Sequence, residues 1–392
     1  MLDQAFSSGT LVDPSTSQGS LDLFRAIASL CGSTRSDLGE RGANLAEQVG
    51  EYDHYVFVLV DGLGMNQAAR FPNGGFFQTT MSGELRSVFP SATAVALTSL
   101  ATCESPAVHG VTGWHTYYPE YRRVMTPLLF TERGTSYPGE ELGLDVDDLV
   151  NGSVEVSAFQ HRACAYLPDF ITKGYAVWAR GGTEMVGFDS HDALLRLVTS
   201  RLRTADEPTY TYIYLLTVDK YCHIHGTTSE QVAAEVAEID TLLVRMREAL
   251  PDGVRLIASA DHGLVDVEDN LRFVLHDDDE LCRHLVTGPT GESTAPVFHV
   301  KPGADAAFRE AFAAHPASRY FELHTPAELF KRGLYGNGPL SETATLHLGE
   351  YVGIAERVAL LQYAPPGITP LHHVGVHGGL RPAEVMVPLF LA

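Results

Sequence analysis

Five short runs of mostly apolar residues constrain the fold of this chain more than any other feature. They are HYVFVLV at 54–60, YAVWAR at 175–180, YTYIYLLTV at 210–218, VRLIASA at 254–260 and EVMVPLFL at 384–391. Most of them lack the strict apolar–polar alternation of a strand that has one face in water. A near-continuous apolar run is typical of a strand that is covered on both faces. The runs therefore predict a sheet with helices packed against it.

A helical pattern separates the third run from the fourth. In SEQVAAEVAEIDTLLVRMREAL, residues 229–250, apolar residues recur at helical spacing. Ser229 is a suitable N-cap, and Pro251 and Gly253 end the pattern. The order strand, helix, strand from 210 to 260 is that of a parallel βαβ unit. We therefore predict an α/β fold with a mainly parallel sheet flanked by helices.

The length of the chain predicts more than a single compact core. Its 392 residues exceed the ~250–300 residues that one core usually holds. Residues 266–365 differ in character from the rest, with the acidic run HDDDE at 276–280 and the turn-rich YGNGP at 335–339. We expect a core formed by 1–265 and 366–392, and a smaller cap inserted at 266–365.

The charge of the chain limits its partners. The formal net charge is -22, whereas proteins that bind nucleic acid use lysine and arginine against the phosphates. We therefore expect no nucleic-acid binding and no attraction to an anionic membrane surface. No segment approaches the ~18 uninterrupted apolar residues of a membrane helix. A small phosphate-bearing substrate is not excluded, because a metal ion can supply positive charge locally.

The cysteines indicate the compartment. There are five, widely spaced, and no two form a CxxC pair. This pattern predicts reduced thiols rather than a disulfide framework. The N-terminus MLDQAFSSGT lacks the basic start and apolar centre of a signal peptide. We expect a cytoplasmic protein, and the oligomeric state cannot be read from the sequence.

Candidate metal ligands follow or precede the apolar runs. They are Asp61 after the first run, Asp219 and His223 after the third, Asp261 and His262 after the fourth, and His377 before the last. In open α/β sheets, ligands bind beyond the carboxyl ends of the strands. A lone aspartate after a strand is more often a turn or capping residue, and a lone histidine is more often a hydrogen-bonded structural residue than a ligand. Several acids gathered at one sheet edge, however, repel each other unless a cation lies between them. Carboxylate and imidazole together favour zinc, with manganese as the alternative.

A candidate nucleophile lies in LRSVFPSATAVALTSLATC, residues 85–103. The segment PSAT predicts a turn, and AVALTSLA predicts the start of a helix. Thr93 would then lie at a helix N-terminus, where backbone N–H groups favour an anion. Thr93 or Ser91 could equally be a simple helix cap. A hydroxyl bound to a metal could instead attack as an alkoxide.

The order Asp61, Thr93, Asp219-x-x-x-His223, Asp261-His262, His377-Gly resembles the alkaline phosphatase superfamily, in particular its type I phosphodiesterase/nucleotide pyrophosphatase branch. The segment HGVTGW at 109–114 is similar to the glycine-rich turn after the nucleophile helix of that group. The resemblance implies two divalent metal ions, one held by Asp219, His223 and His377, the other by Asp61, Asp261 and His262 with Thr93. It also implies that Thr93 forms a phospho-threonine intermediate.

The chain departs from that branch after the threonine. The branch has Phe-Pro-Asn there, whereas this chain has Ala94, Val95 and Ala96, which puts a nucleotide substrate in doubt. Lys220 and Tyr221 lie between two ligands and are candidate substrate contacts, although both could be ordinary surface residues. The sulfatase signature, Cys or Ser followed by x-Pro-x-Arg, does not occur.

The residues and the resemblance together predict a function. We expect a two-metal phosphoesterase that hydrolyses a phosphodiester or pyrophosphate bond of a small substrate through Thr93. A phosphomonoesterase or phosphonate hydrolase with the same metal core is the nearest alternative. A non-catalytic binding relative and a metal-dependent mutase or transferase are the others, although the ligand set is complete and the chain is short for such a mutase.

Overall fold

The computed structural model describes residues 2–13, 16–169, 171, 181–336 and 338–392. Its strands, in chain order, are β1 (His54–Val60), β2 (Met81–Arg86), β3 (Thr116–Tyr118), β4 (Arg123–Thr126), β5 (Thr131–Glu132), β6 (Arg162–Pro168), β7 (Glu184–Phe188), β8 (Thr209–Leu215), β9 (Val254–Ser259), β10 (Val265–Asp266), β11 (Arg272–Leu275), β12 (Thr290–Glu292), β13 (Ala295–Phe298), β14 (Phe321–His324), β15 (Tyr351–Ala355), β16 (Leu360–Tyr363), β17 (Gly375–Val376) and β18 (Met386–Leu391). The predicted run at 175–180 lies outside the described residues.

The α-helices are α1 (Leu2–Ser7), α2 (Ser20–Leu30), α3 (Gly39–Val49), α4 (Phe76–Thr80), α5 (Thr93–Thr102), α6 (Pro106–His109), α7 (His191–Arg203), α8 (Thr217–His225), α9 (Glu230–Ala249), α10 (Glu280–Arg283), α11 (Asp305–Ala314), α12 (Pro326–Lys331), α13 (Glu342–His347) and α14 (Pro382–Val385). The helix predicted at 229–250 is confirmed as α9. Its N-cap is Ser229, whose hydroxyl accepts a hydrogen bond from the backbone N–H of Val232.

The central sheet has seven strands in the order β2-β18-β9-β1-β8-β6-β7. The pairs from β9 to β7 are parallel, whereas β18 pairs antiparallel with both β2 and β9. The side chains of β1 from Tyr55 to Val60 are all buried, because the sheet is covered on both faces. The predicted fold class is therefore confirmed.

Two predicted strands are shorter than the sequence pattern suggests. The run at 210–218 ends as strand at Leu215, and α8 begins two residues later. The run at 384–391 begins as the short helix α14, with Pro382 at its first position, and only Met386–Leu391 is strand. A proline fits the first turn of a helix, where its missing N–H has no partner to lose.

The stretch predicted as a cap carries a second sheet. Strands β12, β13, β15 and β14 form it in that order, with antiparallel pairing throughout. Its own apolar cluster includes Phe298, Phe308 and Phe312. The hairpin of β12 and β13 reaches the core, where Gly291 forms an isolated bridge with His115. The boundaries 266 and 365 stay a prediction.

Candidate metal centre

Three adjacent parallel strands bring the first ligands to one edge. In β1 and β8, Val60 aligns with Leu215, and in β1 and β9, Leu59 aligns with Ser259. The chain that leaves each strand therefore emerges at the same edge of the sheet. The backbone N–H of Asp61 donates to Leu215 O at 2.8 Å and continues the ladder one residue further. Asp61 and Asp261 are consequently neighbours although 200 residues separate them.

Asp219 and His223 lie on a helix. The apolar run before them had predicted that they lie at the end of a strand. Both belong to α8, four residues apart, and side chains at this spacing share one helical face. The backbone N–H of Asp219 donates to Asp61 O at 3.0 Å, which fixes the start of the helix against the end of β1. His223 Nε2 is 3.3 Å from Asp219 Oδ1.

His377 lies at the same edge of the sheet, but it precedes an antiparallel strand instead of following a parallel one. It lies on the loop before the antiparallel strand β18, whose beginning is at the edge where the parallel strands end. The Thr294 hydroxyl, from the turn between β12 and β13, donates to His377 O at 2.8 Å. A residue of the predicted cap therefore helps to hold a candidate ligand of the core.

The first ligand group consists of Asp61, Asp261 and His262. His262 Nε2 is 3.5 Å from Asp61 Oδ1 and 3.5 Å from Asp261 Oδ2. All three side chains are buried, with at most 3% of any residue exposed. Neither of these two carboxylate oxygens has a hydrogen-bond partner. A buried carboxylate oxygen without a partner is costly, so two of them facing one imidazole nitrogen indicate a cation site.

The second group consists of Asp219, His223 and His377. His377 Nε2 is 3.8 Å from Asp219 Oδ1, and this oxygen is also buried and unpartnered. The ligand atoms of each group lie within 4.8 Å of one another. The His262 and His377 rings stack with their centroids 3.8 Å apart, so the two groups are adjacent. Each group offers three protein ligands, and an ion held by three ligands would keep a position for substrate, as in catalytic zinc sites.

Hydrogen bonds orient the three imidazoles. The Nδ1 atom of His223 is 2.7 Å from Gly375 O, that of His262 is 3.2 Å from Gly263 O, and that of His377 is 3.2 Å from Ser91 O. A carbonyl oxygen only accepts, so each Nδ1 carries the proton in these bonds. Each neutral ring then presents an Nε2 lone pair to the carboxylates, which is the arrangement of a metal-ligating histidine.

Without a cation, burial and mutual repulsion disfavour the ionised carboxylates of the two groups. Burial raises the pKa of Asp61 well above its usual value, and the charges of Asp261 and Asp219 raise it further. Burial also raises the pKa of Asp219, with Asp261 adding to the effect. Burial lowers the pKa of His223 to about 3 and that of His377 well below its usual value. Divalent cations would favour both the ionised carboxylates and the neutral imidazoles.

Thr93 is the first residue of α5, at the edge of the first group. Its Oγ1 is 3.0 Å from His262 Nε2, and the residue is 6% exposed. The N-cap is Ala92, and no side chain caps the helix. The Ser91 hydroxyl instead donates to Gly379 O at 2.8 Å. The capping role considered from the sequence therefore applies to neither hydroxyl.

The candidate substrate contacts differ in position. Lys220 is exposed and lines a cavity of about 920 Å³ that also borders Thr93, Asp61 and Asp219. Tyr221 is half-buried, packs against the main apolar core, and its ring centroid is 6.0 Å from that of His225.

Several residues that surround the ligands were not identified from the sequence. The Tyr214 hydroxyl donates to Asp61 Oδ2, and 153 positions separate the two residues. Glu292 Oε1 accepts a hydrogen bond at 2.5 Å from the backbone N–H of Trp114, and burial raises the pKa of Glu292 to about 8. Gly62 has a φ of +77°, and a Cβ there would lie 2.7 Å from Asp219 Cα. The alternation Tyr210, Tyr212, Tyr214 along β8 was the only local signal, and it does not indicate which tyrosine meets a ligand.

The mainly parallel sheet flanked by helices is the fold of the alkaline phosphatase superfamily, as predicted. A model of the type I phosphodiesterase / nucleotide pyrophosphatase family matches residues 55–350, and the chain belongs to this family. Its members act on phosphoric ester or anhydride bonds and typically depend on divalent metal ions. The predicted enzyme class is therefore confirmed.

Solved structures with the same fold share little sequence with this chain. Murine ectonucleotide pyrophosphatase/phosphodiesterase 5 superposes with a TM-score of 0.63 at 16% identity, over 86% of this chain and 87% of its own. The human protein of the same name gives 0.61 at 14%, over 86% and 87%. Phosphonoacetate hydrolase from Sinorhizobium meliloti 1021, in complex with phosphonoformate, gives 0.60 at 15%, over 86% and 89%. No curated protein matches the sequence.

The helices of the described residues include none that is both long and apolar enough to span a membrane. All five cysteines are free thiols, and all but Cys282 are buried.

Proposed function

We propose that this chain is a two-metal phosphoesterase that cleaves a phosphodiester or pyrophosphate bond through a phospho-threonine intermediate on Thr93. The observation that carries the proposal is the position of the Thr93 hydroxyl. It lies 3.0 Å from His262 Nε2 and borders the cavity that also reaches Asp219 of the second group. Support also comes from the murine relative, of which an inactive threonine-to-alanine variant is known in complex with AMP.

Two divalent cations fit the donor sets of the site. Asp61, Asp261 and His262 would hold one beside Thr93, and the other group would hold the second. The mixture of carboxylate oxygens and neutral imidazoles favours zinc, with manganese as the alternative. When bound, such cations would offset the charge on the phosphoryl oxygens and lower the pKa of the Thr93 hydroxyl.

The residues of the chain suit an in-line displacement. Thr93 Oγ1 forms a bond to phosphorus while the bond from phosphorus to the departing oxygen breaks. Backbone N–H groups in the first turn of α5 have no acceptor within the helix, and they would stabilise an anionic phosphoryl group bound at Thr93. Water then hydrolyses the phospho-threonine and restores the hydroxyl. Over both steps one water molecule is consumed: the proton of the Thr93 hydroxyl ends on the departing alcohol, the water oxygen bonds to phosphorus, and a proton of that water restores the Thr93 hydroxyl.

Lys220 and Tyr221 remain proposed substrate contacts. The Lys220 ammonium group, at the cavity, would attract a nonbridging phosphoryl oxygen. Tyr221 would need to act through its hydroxyl, since its ring packs against the core. Lys220 lines the cavity together with Asp219, whereas Tyr221 is not among the described residues that line it, so Lys220 is the better supported of the two proposed contacts.

A phosphonate hydrolase is the second candidate, because phosphonoacetate hydrolase has the same fold at nearly the same TM-score. The fold alone does not choose between the two activities, since substrate is decided by the site. A phosphomonoesterase with the same metal core is a further variant. Six intact candidate ligands disfavour a non-catalytic relative.

The test is hydrolysis of bis-p-nitrophenyl phosphate by matched variants. Thr93→Ala should abolish turnover and keep the bound metal, whereas Thr93→Ser should retain measurable turnover. Thr98→Ala is the control, because the Thr98 hydroxyl donates to Ala94 O within the same helix. Full activity of Thr93→Ala would remove Thr93 as the nucleophile, and Ser91→Ala would then be measured next.

We also propose the cytoplasm as the compartment. The proposal is supported by the five free thiols, which are typical of a reducing environment.

A further inference from the structure

A large cavity opens beside the nucleophile. It has a volume of about 920 Å³ and is bordered by Thr93, Asp61 and Asp219 at the metal centre. From there it continues between α5, α2 and the sheet, well beyond the space that a phosphoryl group needs. Ligand pockets typically measure ~300–1,000 Å³, so this one can hold a substantial organic group.

One wall of the cavity is a stripe along the nucleophile helix. Thr93, Leu97, Leu100 and Ala101 occupy positions i, i+4, i+7 and i+8 of α5, and all four line the cavity. This spacing places them on a single helical face. Leu97 and Leu100 are only partly buried, in a helix whose other residues are buried. The face that presents the reactive hydroxyl thus continues as an apolar surface.

The other walls are mostly apolar, although Tyr210, Tyr212 and Thr183 also line the cavity. Phe24 and Ile27 of α2 line the cavity, as does Phe159. Leu129 and Ile224 line it as well and are 57% and 53% exposed. These two exposed aliphatic side chains extend the apolar lining of the cavity to the protein surface.

Charged groups are concentrated at the metal centre. Among the described residues that line the cavity, Lys220 is the only lysine or arginine, and it lies next to Asp219. Away from the centre, the one carboxylate in the described lining is Asp169. Away from the centre, a second phosphate would meet the Asp169 carboxylate in the described lining and no lysine or arginine there, so a nucleoside that carries one is disfavoured.

We propose that the preferred substrate is a phosphoester with one large apolar organic group, an alkyl chain or aryl ring, which occupies this cavity. The proposal rests on the phosphoesterase function proposed above and specifies its substrate class. The phosphoryl group would lie at Thr93, and the apolar group would pack against Leu97, Leu100 and the facing aromatic side chains.

The test measures binding of alkylphosphonates, from ethyl to octyl, to the zinc-loaded full-length protein by calorimetry. Affinity should rise by up to about fourfold for each added methylene, as expected for burial of one CH₂. Leu97→Gln and Leu100→Gln should flatten this dependence. Leu195→Gln is the matched control, since Leu195 is a partly buried helical leucine outside the cavity lining, and it should keep the wild-type dependence.

Turnover gives a second readout. The kcat/KM for octyl p-nitrophenyl phosphate should exceed that for thymidine 5'-(p-nitrophenyl phosphate). The proposal is overturned if affinity in the wild-type protein is independent of chain length, or if the thymidine ester is the better substrate. These outcomes are distinct from failure of the proposed function, which would appear as absent diester hydrolysis or as full activity of Thr93→Ala.

Discussion

The substitution Gly62→Ala tests how closely the end of β1 must approach α8. Gly62 has a φ of +77°, and a Cβ there would lie 2.7 Å from Asp219 Cα, 2.8 Å from its Cβ and 2.9 Å from its N. Two of these atoms belong to the backbone and cannot rotate away. The left-handed conformation costs an alanine ~1–2 kcal/mol, and relief of the overlap adds about 1–3 kcal/mol.

The overlap should also displace Asp219 from the second ligand group. A misplacement of about 1 Å at an active site can lower the rate ~100-fold. We therefore expect Gly62→Ala to lower the unfolding temperature, to bind less metal and to lose most of its diesterase activity. The assays are thermal unfolding, metal content after dialysis and kcat.

Gly74→Ala provides the matched control. Gly74 has a similar φ of +71°, but a Cβ there meets nothing within 4 Å. Gly74→Ala should therefore show the conformational cost alone, with normal metal content and activity. If the two variants behaved alike, the close approach of Gly62 to Asp219 would have no functional role and the reasoning would be refuted.

Other substitutions test single contacts. Tyr214→Phe removes the donor to Asp61 Oδ2 and should weaken metal binding ~10–100-fold in competition with a chelator; unchanged affinity would contradict this. Thr294→Val leaves His377 O without its partner and should lower the free energy of unfolding by ~1 kcal/mol, which denaturant titration would detect. Burial lowers the pKa of His109 to about 3, so its contribution to stability is present above an unfolded-state pKa of ~6.5 and lost as the pH falls toward 3. When the pH is lowered from 7 to 5, the unfolding temperature should decrease less in His109→Gln than in the wild-type protein.

Much of the sheet could be predicted because its strands are buried on both faces. The bounds of β1 match the apolar run at 54–60, and those of β9 match the run at 254–260 except for its last residue. The helix α9 begins after the Ser229 N-cap. The direction of β18 could not be predicted, because an apolar run does not show which way the strand runs. The end of β8 was also placed too late. Leu216, Thr217 and Val218 suit a strand by composition, but the contact between Asp61 O and Asp219 N begins a helix there.

The candidate ligands could be identified because the edge of a parallel sheet gathers residues that follow its strands. The contacts that hold them could not, since Tyr214 and Thr294 reach them across long sequence separations. The orientation of the histidines depends on three backbone carbonyls, and no residue type indicates where a carbonyl will lie. The apolar cavity was likewise invisible, because it is formed by α2, α5 and the sheet together.

Metal content is the most direct test of the central claim that two adjacent ligand groups each hold a divalent ion. Mass spectrometric metal analysis of the zinc-loaded wild-type protein should give two ions per chain, one for each group. Asp61→Asn and Asp219→Asn should each give about one, because each removes a ligand from a different group. A wild-type protein with one ion or none, or variants that both retain two, would contradict the account.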